Sequence, residues 1–290
     1  MTGSITVNHS ASSNGSIPIY RVTALRQGWL EVDRSSQTYM HGFGESIWVP
    51  VWAYLIQGES IPNILVDTGI ADPGWVADNV APCRQAADET IVGSLGTVGL
   101  TPEDIGIVVN THLHYDHSDN NPLFAHAKFF VSRIEWDSAA EPFELQDSIY
   151  TGRWLAGDLT PFHYTLIEGK YFDIAPGIRS MQTPGHCPGI QTILVNTAEG
   201  VAAICGDAMN SPENIRLNTP PGIVTDVVAA MDSIHRIVAN SDVVLTGHDP
   251  GLGHGQSSAF PRVVDFDAST RGGPVDRSDE RVVAATIGPA

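Results

Sequence analysis

The stretch VVNTHLHYDHSDNN, residues 108–121, constrains this chain more than any other. His112, His114, Asp116 and His117 fall within six positions of it, and all four carry side chains of the type that bind divalent metals. On a helix, His112 and His114 would point to nearly opposite faces. At the end of an extended strand they share one face, and the apolar VVN before them supplies such a strand. After a turn, Asp116 and His117 can approach the same space. One segment can therefore feed two adjacent metal positions, but two metals need more donors than one loop offers.

Three further candidate ligands each follow a predicted strand and a glycine: His186 in TPGHCPG, Asp207 in CGDA and His248 in LTGHDP. The glycine permits unusual backbone angles or close approach. Together with the first motif they form a set of five histidines and two aspartates. Asp67, in ILVDTG, reads either as a group that orients a ligand histidine or as a simple turn aspartate before Gly69.

The rest of the chain reads as layered α/β with mixed sheets. PVWAYLIQG and NILVDTG form a strand pair, and residues 85–99 have helix-like apolar spacing. Thr101 and Asp104 fit a capping pattern before the buried strand IGIVV. AKFFVSRIEW runs from strand into helix. YFDIAPGIRSMQTPGH, GIQTILVNT and GVAAICGDA give three strand candidates. TDVVAAMDSIHRIVAN has a 3.6-residue period, and DVVLTGHD is a last buried strand. Residues 1–17 read as a flexible lead-in, 18–255 as the catalytic domain, and 256–290 as a tail that packs on the domain or is disordered.

Composition narrows the partners. The formal net charge is −18, and Lys128 and Lys170 are the only lysines. That disfavours nucleic acid and anionic membrane surfaces, which need a basic footprint. No apolar run approaches membrane-spanning length, and the polar start lacks the marks of a secretory signal. With three cysteines, Cys83, Cys187 and Cys205, and no CxxC spacing, a reduced cytoplasmic setting is expected. Cys187 and Cys205 lie near candidate ligands in sequence but read as small buried side chains. The aromatics Trp136, Phe143, Tyr150, Trp154, Phe162 and Tyr164 read as core, with a substrate wall or dimer contact as the other reading. Tyr115 reads as packing. His9, His41, His126, His163, His235 and His254 lack a ligand context.

These motifs resemble those of the metallo-β-lactamase fold hydrolases, over roughly residues 18–255, and within them the N-acyl-homoserine lactonase group. The closer resemblance lies in PVWAYLI, ILVDTG, THLHYDHSDNN, YFDIAPGIRSMQTPGHCPG and TGHDP. It implies a four-layer αβ/βα sandwich with the metals at the sheet edges. By position, one metal takes His112, His114 and His186, the second takes Asp116, His117 and His248, and Asp207 bridges both. Two divalent ions are implied; the N and O donors suit zinc, and also manganese, cobalt or iron. The expected chemistry is attack of a metal-bridging hydroxide on a lactone carbonyl, possible substrates including an N-acyl-homoserine lactone, with Asp116 passing a proton to the leaving alkoxide.

Lactonases of this group usually carry a tyrosine three residues after the bridging aspartate, where it contacts the substrate carbonyl. Here that position is Asn210, an amide that can donate a hydrogen bond. The metal chemistry therefore carries over further than the homoserine-lactone substrate. The alternative is the same site acting on a thioester, an amide or hydrazide, or an organophosphate ester. A di-iron oxygen or nitric oxide reductase is disfavoured because its flavin domain and extra carboxylate ligand are not evident, and β-lactam hydrolysis because of Asp116 and Asp207. The full ligand set argues against a non-catalytic binding module. A small-molecule substrate and a monomer or homodimer are expected.

Overall fold

A computed structural model describes residues 17–59, 61–150, 163–263 and 285–287. Two mixed β-sheets face one another and carry helices on their outer sides, giving the expected αβ/βα layering. The larger sheet contains β1 (Arg21–Asp33), β2 (Ser46–Gln57), β3 (Asn63–Val66), β4 (Cys83–Arg84), β5 (Ile105–Val109), β6 (Lys128–Ser132), β7 (His163–Ile167) and a last strand at Ala285–Ile287. Its spatial order runs from that last strand through β7, β6, β5, β3, β2 and β1 to β4. The smaller sheet contains β8 (Tyr171–Ala175), β9 (Ile178–Gln182), β10 (Gln191–Thr197), β11 (Gly200–Gly206) and β12 (Val243–Thr246), with β12 at one edge and β8 at the other. The last strand, β13, pairs antiparallel with β7.

Strand periodicity builds the layers. In β2, Trp52, Tyr54 and Ile56 face the other sheet, where they meet Ile193 and Val195 of β10, Ile204 of β11 and Leu245 of β12. The alternate residues Ala53 and Leu55 face outward and pack with Ile91 and Leu95 of helix α2 (Ile91–Thr97), numbered after α1 (Pro73–Asn79). A strand buried on both faces needs a nearly continuous apolar run, which PVWAYLI provides. A short α3 (Tyr115–Ser118) follows β5, α4 (Arg133–Ala140) follows β6, and α5 (Glu213–Arg216) precedes α6. Helix α6 (Val227–Asn240) is capped by Asp226, whose side chain accepts from Ala229 N at 2.9 Å. It buries Ala230, Ser233, Ile234, Ile237 and Val238, the one-sided stripe expected from its 3.6-residue period.

Two local readings change. YFDIAPGIRSMQ is not one strand but the hairpin β8–β9, turning at Pro176–Gly177, where Gly177 takes φ +81°. The capping pattern at Thr101 and Asp104 opens only a single 3-10 turn, Pro102–Asp104, with Thr101 N donating to the Asp104 carboxylate at 2.8 Å. All of the 1–17 lead-in but its last residue, Trp154, Phe162 and most of the tail lie outside the described residues. No helix among the described residues is long and apolar enough to cross a membrane.

This architecture puts five loops at one end of the sandwich. The chain leaves β3 at Val66, β5 at Val109, β9 at Gln182, β11 at Gly206 and β12 at Thr246, and a candidate site residue follows each exit within a few positions. The inner faces are tied together at that end, where the Tyr54 hydroxyl donates to Thr246 O at 2.8 Å and the Trp52 indole to Asp249 O at 3.1 Å. Leu245, fully buried beside this junction, should respond as a core residue. Leu245→Ala is expected to lower stability by about 2–5 kcal/mol in chemical denaturation; a loss under about 1 kcal/mol would contradict the packing described.

Candidate metal centre

The structure brings His112, His114, Asp116, His117, His186, Asp207 and His248 together, all buried. Their donor atoms form three overlapping clusters: His112, His114 and His186; His112, His117 and Asp207; and Asp116, His117 and His248. Within each cluster the donors lie within 4.8 Å of one another. Strand β5 stops at Val109, so His112 and His114 sit beyond it in a loop, with ring centroids 4.5 Å apart. Asp116 and His117 lie on the single turn of α3.

The glycines before the distant ligands have physical reasons. A Cβ at Gly247 would come within 2.3 Å of Asp207 Oδ1, and Gly206 takes φ +50° beside the Thr111 hydroxyl. Both allow the β11 and β12 exits to close on the loop that bears the histidines.

Hydrogen bonds outside the cluster orient four of the five imidazoles. Nδ1 of His117 lies 2.8 Å from Asp67 Oδ2, Nδ1 of His186 lies 2.8 Å from Ile223 O, and Nδ1 of His248 lies 2.8 Å from Pro50 O. Nδ1 of His112 contacts the Thr111 hydroxyl at 3.1 Å. A proton on each Nδ1 leaves Nε2 with a lone pair aimed inward, the tautomer a cation needs. His114 is turned the other way, with Nδ1 3.0 Å from His186 Nε2.

Several inward atoms lack hydrogen-bond partners: Nε2 of His112 and His117, and Oδ1 of Asp207. The 3.2 Å approach of His117 Nε2 to Asp207 Oδ1 leaves both without a hydrogen bond. Buried polar atoms are seldom left in this way, and a set of unpaired nitrogen and carboxylate donors converging on one space fits divalent cations. Asp116 Oδ2 stands 3.6 Å from His117 Nε2 and 3.8 Å from His248 Nε2, within the cluster these three residues form.

Without cations the site divides electrostatically. Burial, reinforced by neighbouring histidines, holds His112 and His114 well below the usual imidazole range, and burial also lowers His186. Burial acts the same way on His117, but Asp116, Asp207 and Asp67 outweigh it and push His117 well up. His248 is likewise raised, by Asp207 against burial. Burial opposes the charge on Asp207, yet His248 and His117 bring its carboxyl well below the ordinary range. The cluster of His112, His114 and His186 is thus neutral nitrogen, while that of Asp116, His117 and His248, with Asp207 beside it, is rich in carboxylate.

Asp67 is more than a turn residue. It has φ +62°, is 2% exposed, and accepts from Thr111 N and the Thr111 hydroxyl, each at 2.7 Å, as well as facing His117. The sequence reading missed Thr111, although it stands next to His112. It also missed Glu135, whose carboxylate lies behind the first cluster, and for which the sequence carries no local signal.

Asn210 lines the cavity over the cluster and is 2% exposed. Its Nδ2 donates to Ser36 O at 3.3 Å, and its Oδ1 has no partner. Tyr115 packs edge-on to Trp75 and also lines this cavity. Of the aromatics between Trp136 and Tyr164, Tyr150 lies against the His114 ring, Trp136 and Tyr164 pack together, and Phe143 is exposed. Among the remaining histidines, His126, His235 and His254 bond to groups outside the cluster. His9 lies outside the described residues.

The cysteines are free, and none faces its neighbours as an activated nucleophile. Burial pushes the Cys83 thiol up to about 11 and raises Cys187 and Cys205 as well. Alkylation of the folded protein at pH 7.5 is therefore expected to be slow, with labelling of Cys83 accelerating as the pH rises toward 11. All three cysteines should label rapidly in denaturant. Fast labelling of a single thiol in the folded protein at neutral pH would contradict this.

Comparison with known proteins agrees with this geometry. The sequence profile described as "Metallo-beta-lactamase superfamily" matches residues 46–256. An N-acyl homoserine lactonase from Bacillus sp is 32% identical over 234 residues, spanning 75% of this chain and 88% of the relative. The N-acyl homoserine lactonase AttM of Rhizobium radiobacter is 25% identical, spanning 79% of this chain and 93% of the relative. A solved structure of an N-acyl homoserine lactone hydrolase, with the product N-hexanoyl-L-homoserine bound at its catalytic metal center, superposes with a TM-score of 0.69 at 27% identity, covering 80% of this chain and 94% of that one.

Proposed function

The chain belongs to the metallo-beta-lactamase superfamily, and from that premise we propose that it is a dinuclear metal hydrolase that opens a lactone. The observation that carries the reading is the convergence of seven buried nitrogen and carboxylate donors, with the outer nitrogens of four histidines already tied down. His112, His114 and His186 would hold one cation, Asp116, His117 and His248 the other, and Asp207, which approaches His186 as well as His117 and His248, would serve both. The donor set of imidazole and carboxylate suits zinc, which we take as the leading metal, and also manganese, cobalt or iron. Bound there, the two cations would supply an activated water and polarise an ester carbonyl.

The residues above that floor shape the substrate. The cavity, about 370 Å³, has Leu30, Val49, Pro82, Ile149 and Ile223 on its walls and Asp116, Asp207 and His248 below. Apolar walls with the Glu31 and Asp33 carboxylates among the lining, in a chain of net charge −18, favour a neutral ester with an apolar arm over a polyanion. Lactonase activity on N-acyl-homoserine lactones, seen in the named relatives, is the leading form of this reading, with quorum-signal degradation as its consequence.

Asp116 would serve as the proton carrier. Its Oδ2 faces His117 and His248, and its side chain also borders the cavity, where it would take the proton given up by the attacking water and pass it to the departing alkoxide. Asn210 borders the cavity with its amide donor engaged by Ser36 O, so that donor is not free to polarise the scissile carbonyl. Its contribution is thereby smaller than that of a group polarising the carbonyl.

Metal analysis combined with a pH-indicator screen over lactones, thioesters, amides and phosphotriesters tests the proposal. Two cations per chain and turnover of lactones are expected. Chelation should abolish activity and Zn²⁺ should restore it, while His114→Ala and Asp207→Ala should be inactive. Turnover of thioesters or phosphotriesters with no lactone opened would move the reading to another bond, and full activity in either variant would overturn the residue assignment. Asp116→Asn is expected to lower kcat by about 10²–10⁴-fold. Asn210→Ala should lower kcat/KM by no more than about tenfold, the worth of one ordinary hydrogen bond; a loss as large as that of Asp116→Asn would contradict its secondary role.

A further inference from the structure

Behind the first cluster lies a carboxylate that the hydrolytic reading does not use. Glu135, in the first turn of α4, is 0% exposed. Its Oε1 accepts from Leu113 N at 2.9 Å and from the Tyr150 hydroxyl at 3.0 Å, and its Oε2 accepts from the Cys187 thiol at 3.0 Å. The Gly189 N–H donates to it as well. These donors come from loops far apart in sequence. Leu113 stands between His112 and His114, Cys187 follows His186, and Tyr150 lies against the His114 ring with centroids 4.5 Å apart. A Cβ at Gly189 would fall 2.0 Å from Glu135 N, so the loop after His186 sits directly on the start of α4.

Burying a carboxylate is costly unless its lone pairs are met, and this one has a donor for each direction. The surroundings are core: Leu113, Cys187 and Ile190 belong to the large apolar cluster. An apolar side chain could fill that space, but it would not clamp two loops at a fixed separation. The separation it spans is the one between His114 Nδ1 and His186 Nε2, which lie 3.0 Å apart. Among the described residues, Leu113, Tyr150 and Cys187 make no hydrogen bond to Asp116 or His248.

We propose that Glu135 is a positioning residue that clamps the loop carrying His112 and His114 to the loop carrying His186, and so sets the affinity of the metal position these three histidines share. It leaves the position formed by Asp116, His117 and His248 alone. The inference rests on the two-metal reading of the site.

Stepwise titration of the metal-stripped full chain with Zn²⁺ against a chromogenic chelator tests it. The wild-type chain is expected to take up two Zn²⁺. Glu135→Gln keeps the volume but turns an amide donor toward groups that themselves donate. It is expected to weaken one of the two Zn²⁺ affinities by about 10–100-fold, the effect typical of a lost partner behind a ligand, and to leave the other unchanged. In a His186→Ala background, where that position is already disabled, Glu135→Gln should cause no further loss, whereas in a His248→Ala background the loss should persist. Cys187→Ala removes a single donor and should weaken the same affinity by a smaller factor; it decides the matter if Glu135→Gln does not fold, as read by circular dichroism of the metal-free chain. Unchanged affinities in folded Glu135→Gln, or in Cys187→Ala where only that variant folds, would overturn the proposal. So would an equal fall in both affinities, which marks a general loss of structure. Fewer than two Zn²⁺ on the wild-type chain would instead overturn the two-metal reading itself.

Discussion

The Asp67 carboxylate is the contact on which the site's geometry depends. One oxygen accepts from Thr111 N and the other from the Thr111 hydroxyl and faces His117 Nδ1, so a single buried anion fixes both ends of the loop from Thr111 to His117. Its own placement needs a left-handed backbone, φ +62°, an unusual state for a residue other than glycine and one that other interactions must offset. Charge-assisted hydrogen bonds of this kind are each worth about 1.5–3 kcal/mol, enough in number here to outweigh the strain. Burial raises the Asp67 carboxyl, and His117 and Thr111 pull against that rise.

From that anchor outward the centre is built by loops that rigid strands deliver. β3 and β5 are parallel neighbours in one sheet, and β11 and β12 are parallel neighbours in the other. Each pair therefore ends at the same edge, and the facing of the two sheets brings the edges together. No single element holds the cluster. His112 to His117 come from the larger sheet, His186, Asp207 and His248 come from the smaller one, and the apolar layer between the sheets sets the distance between the two groups. The chemistry of the site is thus coupled to the packing of residues such as Tyr54 and Leu245, which fix where the exits point.

Much of this was legible in the sequence, for reasons that can be named. HLHYDH packs its donors into one short segment, so their proximity is guaranteed by chain connectivity. His186, Asp207 and His248 each follow an apolar strand and a glycine, and strands of one sheet exit together. The apolar runs PVWAYLI and NILV read as a strand pair, and β2 and β3 pair antiparallel. What escaped is what depends on three-dimensional neighbours alone. Glu135 sits in a stretch that reads as strand into helix, and nothing local distinguishes it from a solvent-facing glutamate; only the folding of the 112–114 and 186–189 loops around it makes it a clamp. For Asn210 the residue type allowed donation or acceptance, and the choice came from Ser36, a residue 174 positions away. The break of YFDIAPGIRSMQ into two strands was visible in Pro176–Gly177, but the apolar residues on both sides mask it as one run.

The pairing of donors into two positions is the central claim. Anomalous diffraction at the zinc absorption edge, from crystals of the protein loaded with Zn²⁺, tests it most directly. Two peaks are expected, one enclosed by His112, His114 and His186 and the other by Asp116, His117 and His248, with Asp207 in contact with both. A single peak, or two peaks with Asp207 bound to neither, would contradict it.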